Sequence, residues 1–341
     1  MLTRIKAIPF LAMLSLMTSS PSFSQQGTSV YEGDWPSWAG SWNASRYSPL
    51  DQITADNVND LEIAWRWSTQ GFGPGTDFVN PSTPLEVDGV LYANVGTTRN
   101  VVALDATSGQ VLWMFRYDEG TRFDEAPRKG AGRGVAYYNN GEKARIFDIS
   151  PGYQLVSLDP ETGIPDPTFG EDGLVDLYVG VRNGDDPRYP HPDIGISAPP
   201  FIMNDVIVVG AAHRTGGRPR SKFNTKGDIR GFDVHSGELL WTFHTIPERG
   251  EYGYESWISG NDITGNSGVW AAISGDPELG HVYLPVEDPT GDYYGGDRHG
   301  DNLFSSGLVA VDVKTGERQW HFQFIHPVSY THLTLPTTPY V

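Results

Sequence analysis

The side chains of this sequence that are able to act on a ligand are gathered in a few long, Gly-rich loops. Residues 287–302 (EDPTGDYYGGDRHGDN) place Asp288 and Asp292 among tyrosines and glycines. Two facing carboxylates are what acid–base cleavage of a glycosidic bond requires, but their spacing in sequence leaves their separation in space open. Residues 214–222 (RTGGRPRSK) form a basic stretch that either takes an anion or stays in solvent. Residues 121–134 (TRFDEAPRKGAGRG) and the insertion 245–268 add Arg, Asp and Trp to the same inventory. The chain has no Cys, so disulfides, thiolate metal ligands and thiol redox chemistry are excluded. There is no GxxxxGK[ST] loop, no GxGxxG opening a helix, no HExxH and no Ser or Cys nucleophile motif. What remains is chemistry by carboxylates, guanidinium groups and aromatic rings converging from separate loops. That needs a scaffold able to bring the loops together.

The scaffold is written as a repeat. Residues 229–243 (IRGFDVHSGELLWTF) recur as 101–115 (VVALDATSGQVLWMF) and 308–322 (LVAVDVKTGERQWHF), with a divergent copy at 155–169 (LVSLDPETGIPDPTF). Self-similarity of this kind indicates repeat architecture. In each copy apolar residues alternate up to an Asp (Asp105, Asp159, Asp233, Asp312). A short turn then closes on Ser or Thr followed by Gly (Gly109, Gly163, Gly237, Gly316). The pattern predicts a β-hairpin, with the Asp bonding back to turn amides and the Gly supplying a positive φ. Trp113, Trp241 and Trp320 each follow the Gly by four residues. A ring that large at a fixed place is predicted to wedge against the neighbouring copy, because one small sheet cannot bury it alone. Successive Asp residues lie 54, 74 and 79 positions apart, longer than a bare four-stranded blade. The expectation is an all-β chain: a β-propeller with loops inserted between blades.

Other stretches fit that plan. Strand-like segments are predicted at 62–67, 84–94 with a turn at 87–90, 135–151, 200–210 and 269–286, and a short capped helical turn at 54–61. With 40 Gly, 25 Pro and 10 Trp in 341 residues the chain is turn-rich and aromatic-rich. A formal charge of −18 argues against nucleic acid as a partner. Arg4 and Lys6 precede an apolar run from Ile8 to Met17, and Ser22-Phe23-Ser24 offers a cleavage site. Residues 1–24 therefore read as a signal peptide, with the mature chain in the periplasm. Residues 327–341 carry no charged side chain, do not continue the repeat, and resemble the translation of a sequencing adapter. They are read as a non-native tail, leaving 25–326 as the propeller.

The segments 34–67 (DWPSWAGSWNASRYSPLDQITADNVNDLEIAWRW), RGVAYY at Arg133, 228–243 (DIRGFDVHSGELLWTF), HVYLPVEDPTGDYYGG from His281 and GDNLFSSGLVAVDVKTGERQWHF from Gly300 resemble the pyrroloquinoline-quinone-dependent dehydrogenases. The resemblance runs over nearly all of 34–326 and is nearer to the glucose and quinate type than to the methanol type. It implies an eight-bladed quinoprotein β-propeller, here truncated to about its first half. The implied activity is oxidation of a sugar, polyol or alcohol with hydride transfer to bound pyrroloquinoline quinone, the electrons passing on to ubiquinone or cytochrome c. The same resemblance makes Trp270 the floor under the cofactor, Arg133 a partner of its polar edge and Ser197 a further cofactor contact. It places Asp288 at the position of a calcium ligand, with a lanthanide as the alternative ion and Glu287 as a neighbour able to point inward.

The sequence departs from the family in three places. No acidic or Asn ligand stands near His213-Arg214-Thr215, Lys129 replaces the residue type expected near the cofactor face, and the general-base Asp expected beyond His326 is missing. No catalytic base is assigned in this chain. A non-catalytic propeller serving periplasmic assembly remains the competing reading at this stage. The expected behaviour of the 341-residue chain on its own is poor solubility and no quinone-dependent dye reduction. A dye-reduction assay with added cofactor and calcium checks this, and clear turnover would overturn it.

Overall fold

The computed structural model describes residues 33–326 apart from 76, 78, 186–189, 215–221 and 292–293. Residues 1–24, read above as a signal peptide, residues 327–341, read as a non-native tail, and Asp292 lie outside the described residues.

Among the described residues the alternating segments form sixteen strands in four antiparallel sheets, each taking its strands in chain order. The first blade holds β1 (Leu85–Val87), β2 (Val90–Val95), β3 (Asn100–Asp105) and β4 (Val111–Phe115). The second holds β5 (Ala136–Asn139), β6 (Ala144–Ile149), β7 (Gln154–Leu158) and β8 (Leu174–Asp176). The third holds β9 (Phe201–Met203), β10 (Val206–Val209), β11 (Ile229–Asp233) and β12 (Leu239–Phe243). The fourth holds β13 (Ser274–Asp276), β14 (His281–Val286), β15 (Gly307–Asp312) and β16 (Arg318–Gln323). This is the propeller-like, nearly all-β architecture that the repeats predict. Tight turns join first and second strands through residues that tolerate positive φ, Asp88 at 51° and Asn204-Asp205 at 52° and 63°.

Each repeat is the third strand, an Asp-centred turn and the fourth strand. Asp312 Oδ1 accepts the amides of Lys314 and Thr315 at 2.9 Å and the Thr315 hydroxyl at 3.2 Å. Asp105, Asp159 and Asp233 do the same in their own turns.

The wedge between blades is more specific than the sequence suggested. The Trp241 indole donates to the carbonyl of Val313, the residue after the next blade's turn Asp, at 2.8 Å. Its ring lies so close to Gly316 that an added Cβ would sit 2.6 Å from it. Trp113 bonds the Pro160 carbonyl at 2.8 Å and packs on Gly163. Trp65, ahead of the first blade, bonds the Ala106 carbonyl at 3.1 Å and packs on Gly109.

At the remaining junction the indole's two roles are divided. Phe169 supplies the ring against Gly237, and the buried Arg145 donates Nη1 to the equivalent carbonyl, Val234, at 3.3 Å. Arg145 is held by Asp166 at 2.8 Å. The apolar cores sit between blades. Leu85, Trp113, Tyr137 and Val156 pack together at the first junction, Phe147, Phe169, Ile207 and Phe232 at the second, and Met203, Trp241, Val282 and Val309 at the third.

Some expectations need correction. Residues 62–67 pair in no ladder, although Trp65 docks as a wedge residue. In the divergent copy the second strand is not 164–169: Pro165 breaks the pattern, Phe169 turns inward, and β8 starts at Leu174. Strand structure between 269 and 286 begins only at Ser274. The loop 121–134 opens with a short helix, α1 (Thr121–Glu125), and the turn at 54–61 is a single 3-10 turn, Val58–Asp60. Asn57 at its start makes no capping bond to it.

Gly316 and Gly280 separate the two reasons for a turn glycine. Both have positive φ, 71° and 67°, but a Cβ at Gly280 meets nothing nearer than 4.0 Å. Gly280→Ala should cost about 1 kcal/mol from backbone strain alone. Gly316→Ala must also displace the indole and should cost about 2–4 kcal/mol. Urea-unfolding midpoints of the two variants test the wedge, and equal losses would contradict it.

Candidate functional site

In a blade whose antiparallel strands run in chain order, the start of the first strand and the end of the second lie at the same end. The Asp-centred turns lie at the other. Arg133, Ser197 and Trp270 stand just ahead of β5, β9 and β13, while Arg99, His213 and Asp288 follow β2, β10 and β14. Topology therefore collects residues far apart in sequence at one end of four successive blades.

Three of the expected cofactor residues meet there. The Arg133 amide donates to the Ser197 carbonyl at 2.8 Å, and the Arg133 carbonyl accepts from the Thr83 amide at 3.0 Å. The guanidinium carbon of Arg133 lies 4.9 Å from the centroid of the Trp270 ring. Trp270 is 40% exposed and bonds no neighbouring turn, unlike Trp113 and Trp241. A cation stacked on a half-exposed indole is a platform for a flat, anionic ring. The contact shown for Ser197 is through its carbonyl.

The two arms of this patch are held rigidly by residues that the sequence did not single out. Arg99 is 1% exposed and holds the loop carrying Arg128 and Arg133. It donates to the carbonyls of Gly130 (3.2 Å), Arg128 (2.7 Å), Ile149 (2.8 Å) and Ile196 (2.7 Å). Beside it, Asp148 is pushed up to about 6 by burial, with the Arg99 charge and the Tyr117 hydroxyl at 3.0 Å opposing that rise.

On the Trp270 side, the fully buried Asn266 and Ser267 both take left-handed backbone, φ 52° and 58°. Such strain persists only where the surroundings over-determine it. Here the Asn266 amide donates to the Thr225 carbonyl at 2.7 Å, and its carbonyl accepts from Gly227 at 2.8 Å. Its side chain takes the His213 amide and gives a bond to the Asp288 carbonyl, both at 3.2 Å. Lys226, lowered to about 8 by burial, donates to the carbonyls of Asn261 and Thr264. The only legible trace of this frame was the Asn-Ser-Gly run before Val269-Trp270.

Asp288 joins the patch through its backbone, whereas its Oδ1 accepts the Ser306 hydroxyl. The Glu287 amide donates to the Gly268 carbonyl at 2.9 Å. Among the described residues no three His, Cys, Asp or Glu side chains come together as a metal-binding group. The contact shown for the Asp288 carboxylate is the Ser306 hydroxyl, and no step below runs through a metal. Lys129 turns away, its ammonium on the Asp124 carbonyl at 2.8 Å and over the Phe123 ring. Arg214 pairs with Asp193 at 3.1 Å and Lys222 with Asp297 at 2.9 Å, while 215–221 lie outside the described residues. His213, noted in the sequence as standing where relatives place a metal ligand, is buried beside Asn266.

Comparison with known proteins matches this chain over residues 35–329 to the family model described as glucose/ethanol/alcohol dehydrogenase, beta-propeller domain. The glycerol dehydrogenase large subunit of Gluconobacter thailandicus is 30% identical over 315 residues, covering 89% of this chain and 40% of that protein. Quinoprotein glucose dehydrogenase of Escherichia coli (strain K12) is 31% identical over 322 residues, covering 87% and 38%. Among solved structures, a quinohemoprotein alcohol dehydrogenase from Pseudomonas putida HK5 superposes with a TM-score of 0.70 at 28% identity, covering 86% of this chain and 40% of that one. A europium-containing methanol dehydrogenase, at a TM-score of 0.64 and 22% identity, shares the fold. The chain spans about 40% of the length of the curated relatives.

The buried Asp148 gives this frame a pH signature. Its folded pKa lies above the unfolded value of 3.8, so its favourable contribution is present below pH 4 and is lost as the pH rises through about 6. Asp148→Asn should therefore gain on the wild type by about 2–3 kcal/mol between pH 4 and pH 7. Urea unfolding of both proteins at the two pH values measures this, and a pH-independent difference would overturn it.

Proposed function

The chain belongs to the glucose/ethanol/alcohol dehydrogenase β-propeller family, and from that premise we propose that it serves oxidation of a CH–OH group in a sugar, polyol or alcohol, with pyrroloquinoline quinone as the bound acceptor. The observation that carries this reading is the Arg133 guanidinium stacked on the half-exposed Trp270 ring at the loop end of the blades.

The residues present fit the group. The indole offers a flat apolar face without competing chemistry, and the guanidinium offers forked donors to carboxylates on a ring edge. When bound, the quinone supplies a two-electron acceptor for hydride from the substrate carbon. The backbone bond from Arg133 to Ser197 ties down the loop that carries that fork, and the pinned Asn266-Ser267 segment closely precedes Trp270 in the chain. None of this chain's residues is assigned as the acceptor of the substrate's hydroxyl proton. We place the reaction in the periplasm on the strength of the export-like segment at Arg4 to Ser24, with ubiquinone or cytochrome c as onward acceptor.

Titration of the purified chain with pyrroloquinoline quinone, followed by its absorbance and by tryptophan fluorescence, tests the reading. Saturable binding is expected, with Trp270→Ala weakening it about tenfold and Arg133→Ala about ten- to a hundredfold, from loss of stacking and of charge-assisted bonds. Absence of binding, or equal affinity in both variants, would count decisively against it.

A further inference from the structure

We propose that the cavity between residues 35–42 and the starts of three blades is a site for a small neutral hydroxyl compound, held by the Ser37 hydroxyl and the Trp38 indole N–H. The cavity has a volume of about 30 Å³, and its lining includes Ser37 and Trp38 from the lead-in with Val135, Pro199, Ala272 and Ile273 from the blades. Ser37 is 6% exposed, and neither its Oγ nor the buried Nε1 of Trp38 has a hydrogen-bond partner among the described residues. Two polar atoms buried beside one cavity and bonded to nothing in the chain are a cost that a ligand in the cavity removes.

The lead-in is not loosely held. Trp35 pairs with Glu86 of β1 by bonds of 2.8 and 3.1 Å. The Trp42 indole donates to the Ile202 carbonyl of β9 at 3.1 Å, and the Trp42 carbonyl accepts the Gly275 amide of β13 at 3.0 Å. Between these anchors the Gly40 amide closes on the Ser37 carbonyl at 3.0 Å, and Trp38 packs beside Gly134, where an added Cβ would stand 3.4 Å from its Cδ1. The segment is thus tied to the first, third and fourth blades and rests on the entry to the second. Ser37 Oγ and Trp38 Nε1 take part in none of those bonds.

The lining decides the ligand. None of the described residues around the cavity carries a charge, so an ion would have nothing there to offset its desolvation. An indole N–H only donates, whereas a serine hydroxyl donates or accepts, and a hydroxyl oxygen can answer both. The apolar walls tolerate a methyl group, and the volume limits the occupant to about two water molecules or one one-carbon alcohol. Val135, Pro199 and Ala272 each stand two residues beyond Arg133, Ser197 and Trp270, so the cavity borders the same three stretches of chain as the platform. The site stands whether or not quinone binds.

The test uses the purified chain with ¹⁵N-labelled indoles and two probes, methanol and tert-butanol. The Trp38 indole resonance is assigned by its loss in Trp38→Phe, or by its displacement in Ser37→Ala should the first variant fail to fold. In water alone the indole proton should cross-relax with a long-lived water molecule. Methanol should shift the resonance saturably and remove that signal, while tert-butanol, too bulky for the cavity, should leave both unchanged. Ser37→Ala should weaken methanol binding about fivefold, from loss of one hydrogen bond. A long-lived water signal without a methanol response would keep the site and narrow its ligand to water. Neither signal, equal shifts with both alcohols, or unchanged methanol affinity in Ser37→Ala would overturn it. No arm contains pyrroloquinoline quinone, so failure here is distinct from failure of the dehydrogenase reading.

Discussion

The structure depends on one contact made again at each junction, an aromatic ring of one blade laid on the turn glycine of the next. Ring packing alone would let blades slide, since apolar contact is not directional. The added bond from indole to the carbonyl after the turn Asp fixes the sliding coordinate, at 3.1, 2.8 and 2.8 Å for Trp65, Trp113 and Trp241. The second junction shows that both components are required. Where the ring is Phe169 and has no N–H, Arg145 is brought in, buried and paired with Asp166, to donate to the equivalent carbonyl of Val234. A buried guanidinium carries a large desolvation cost, and its presence where the indole is missing measures what the indole N–H does elsewhere.

Fixing the turn end has a consequence for the opposite end. Blades locked at their Asp-centred turns hold the starts of first strands and the ends of second strands in register with one another. The intervening loops then vary in length without disturbing the ring. Residues as distant as Arg133 and Trp270 can meet at 4.9 Å because each sits at the same station of its own blade.

This division also decides what was legible in the sequence. The turn end repeats, so Asp312, Gly316 and Trp241 announce their roles through periodicity. The divergent copy was misread because the ring kept its function while the strand moved: Phe169 serves as the wedge, and the ladder resumes only at Leu174. Residues 62–67 were misread for the opposite reason, a strand-like pattern serving only to carry Trp65 to its glycine. The loop end does not repeat, and its frame is built from bonds to backbone carbonyls that leave no pattern. Nothing about Arg99 in TTRNVV shows that it will hold four carbonyls from three separate segments. Trp270, Arg133 and Asp288 were found through family resemblance, and for Asp288 the structure shows a carboxylate accepting the Ser306 hydroxyl.

The buried polar groups at the loop end fall into two kinds, and the distinction separates framework from function better than burial does. Arg99 and Asn266 are as buried as any apolar residue, but their side-chain bonds are matched to fixed backbone partners, so they gain nothing from a ligand. Lys226 likewise directs its ammonium into two carbonyls and is lowered by burial without being left bare. Their work is complete in the folded chain: they hold Arg133 and Trp270 where they stand. His213 occupies the same shell, anchored by the same Asn266, and its ring has no hydrogen-bond partner among the described residues. Burial with matched partners is thus a mark of framework, and what that framework holds out for a ligand is the Arg133 guanidinium over the half-exposed Trp270 ring.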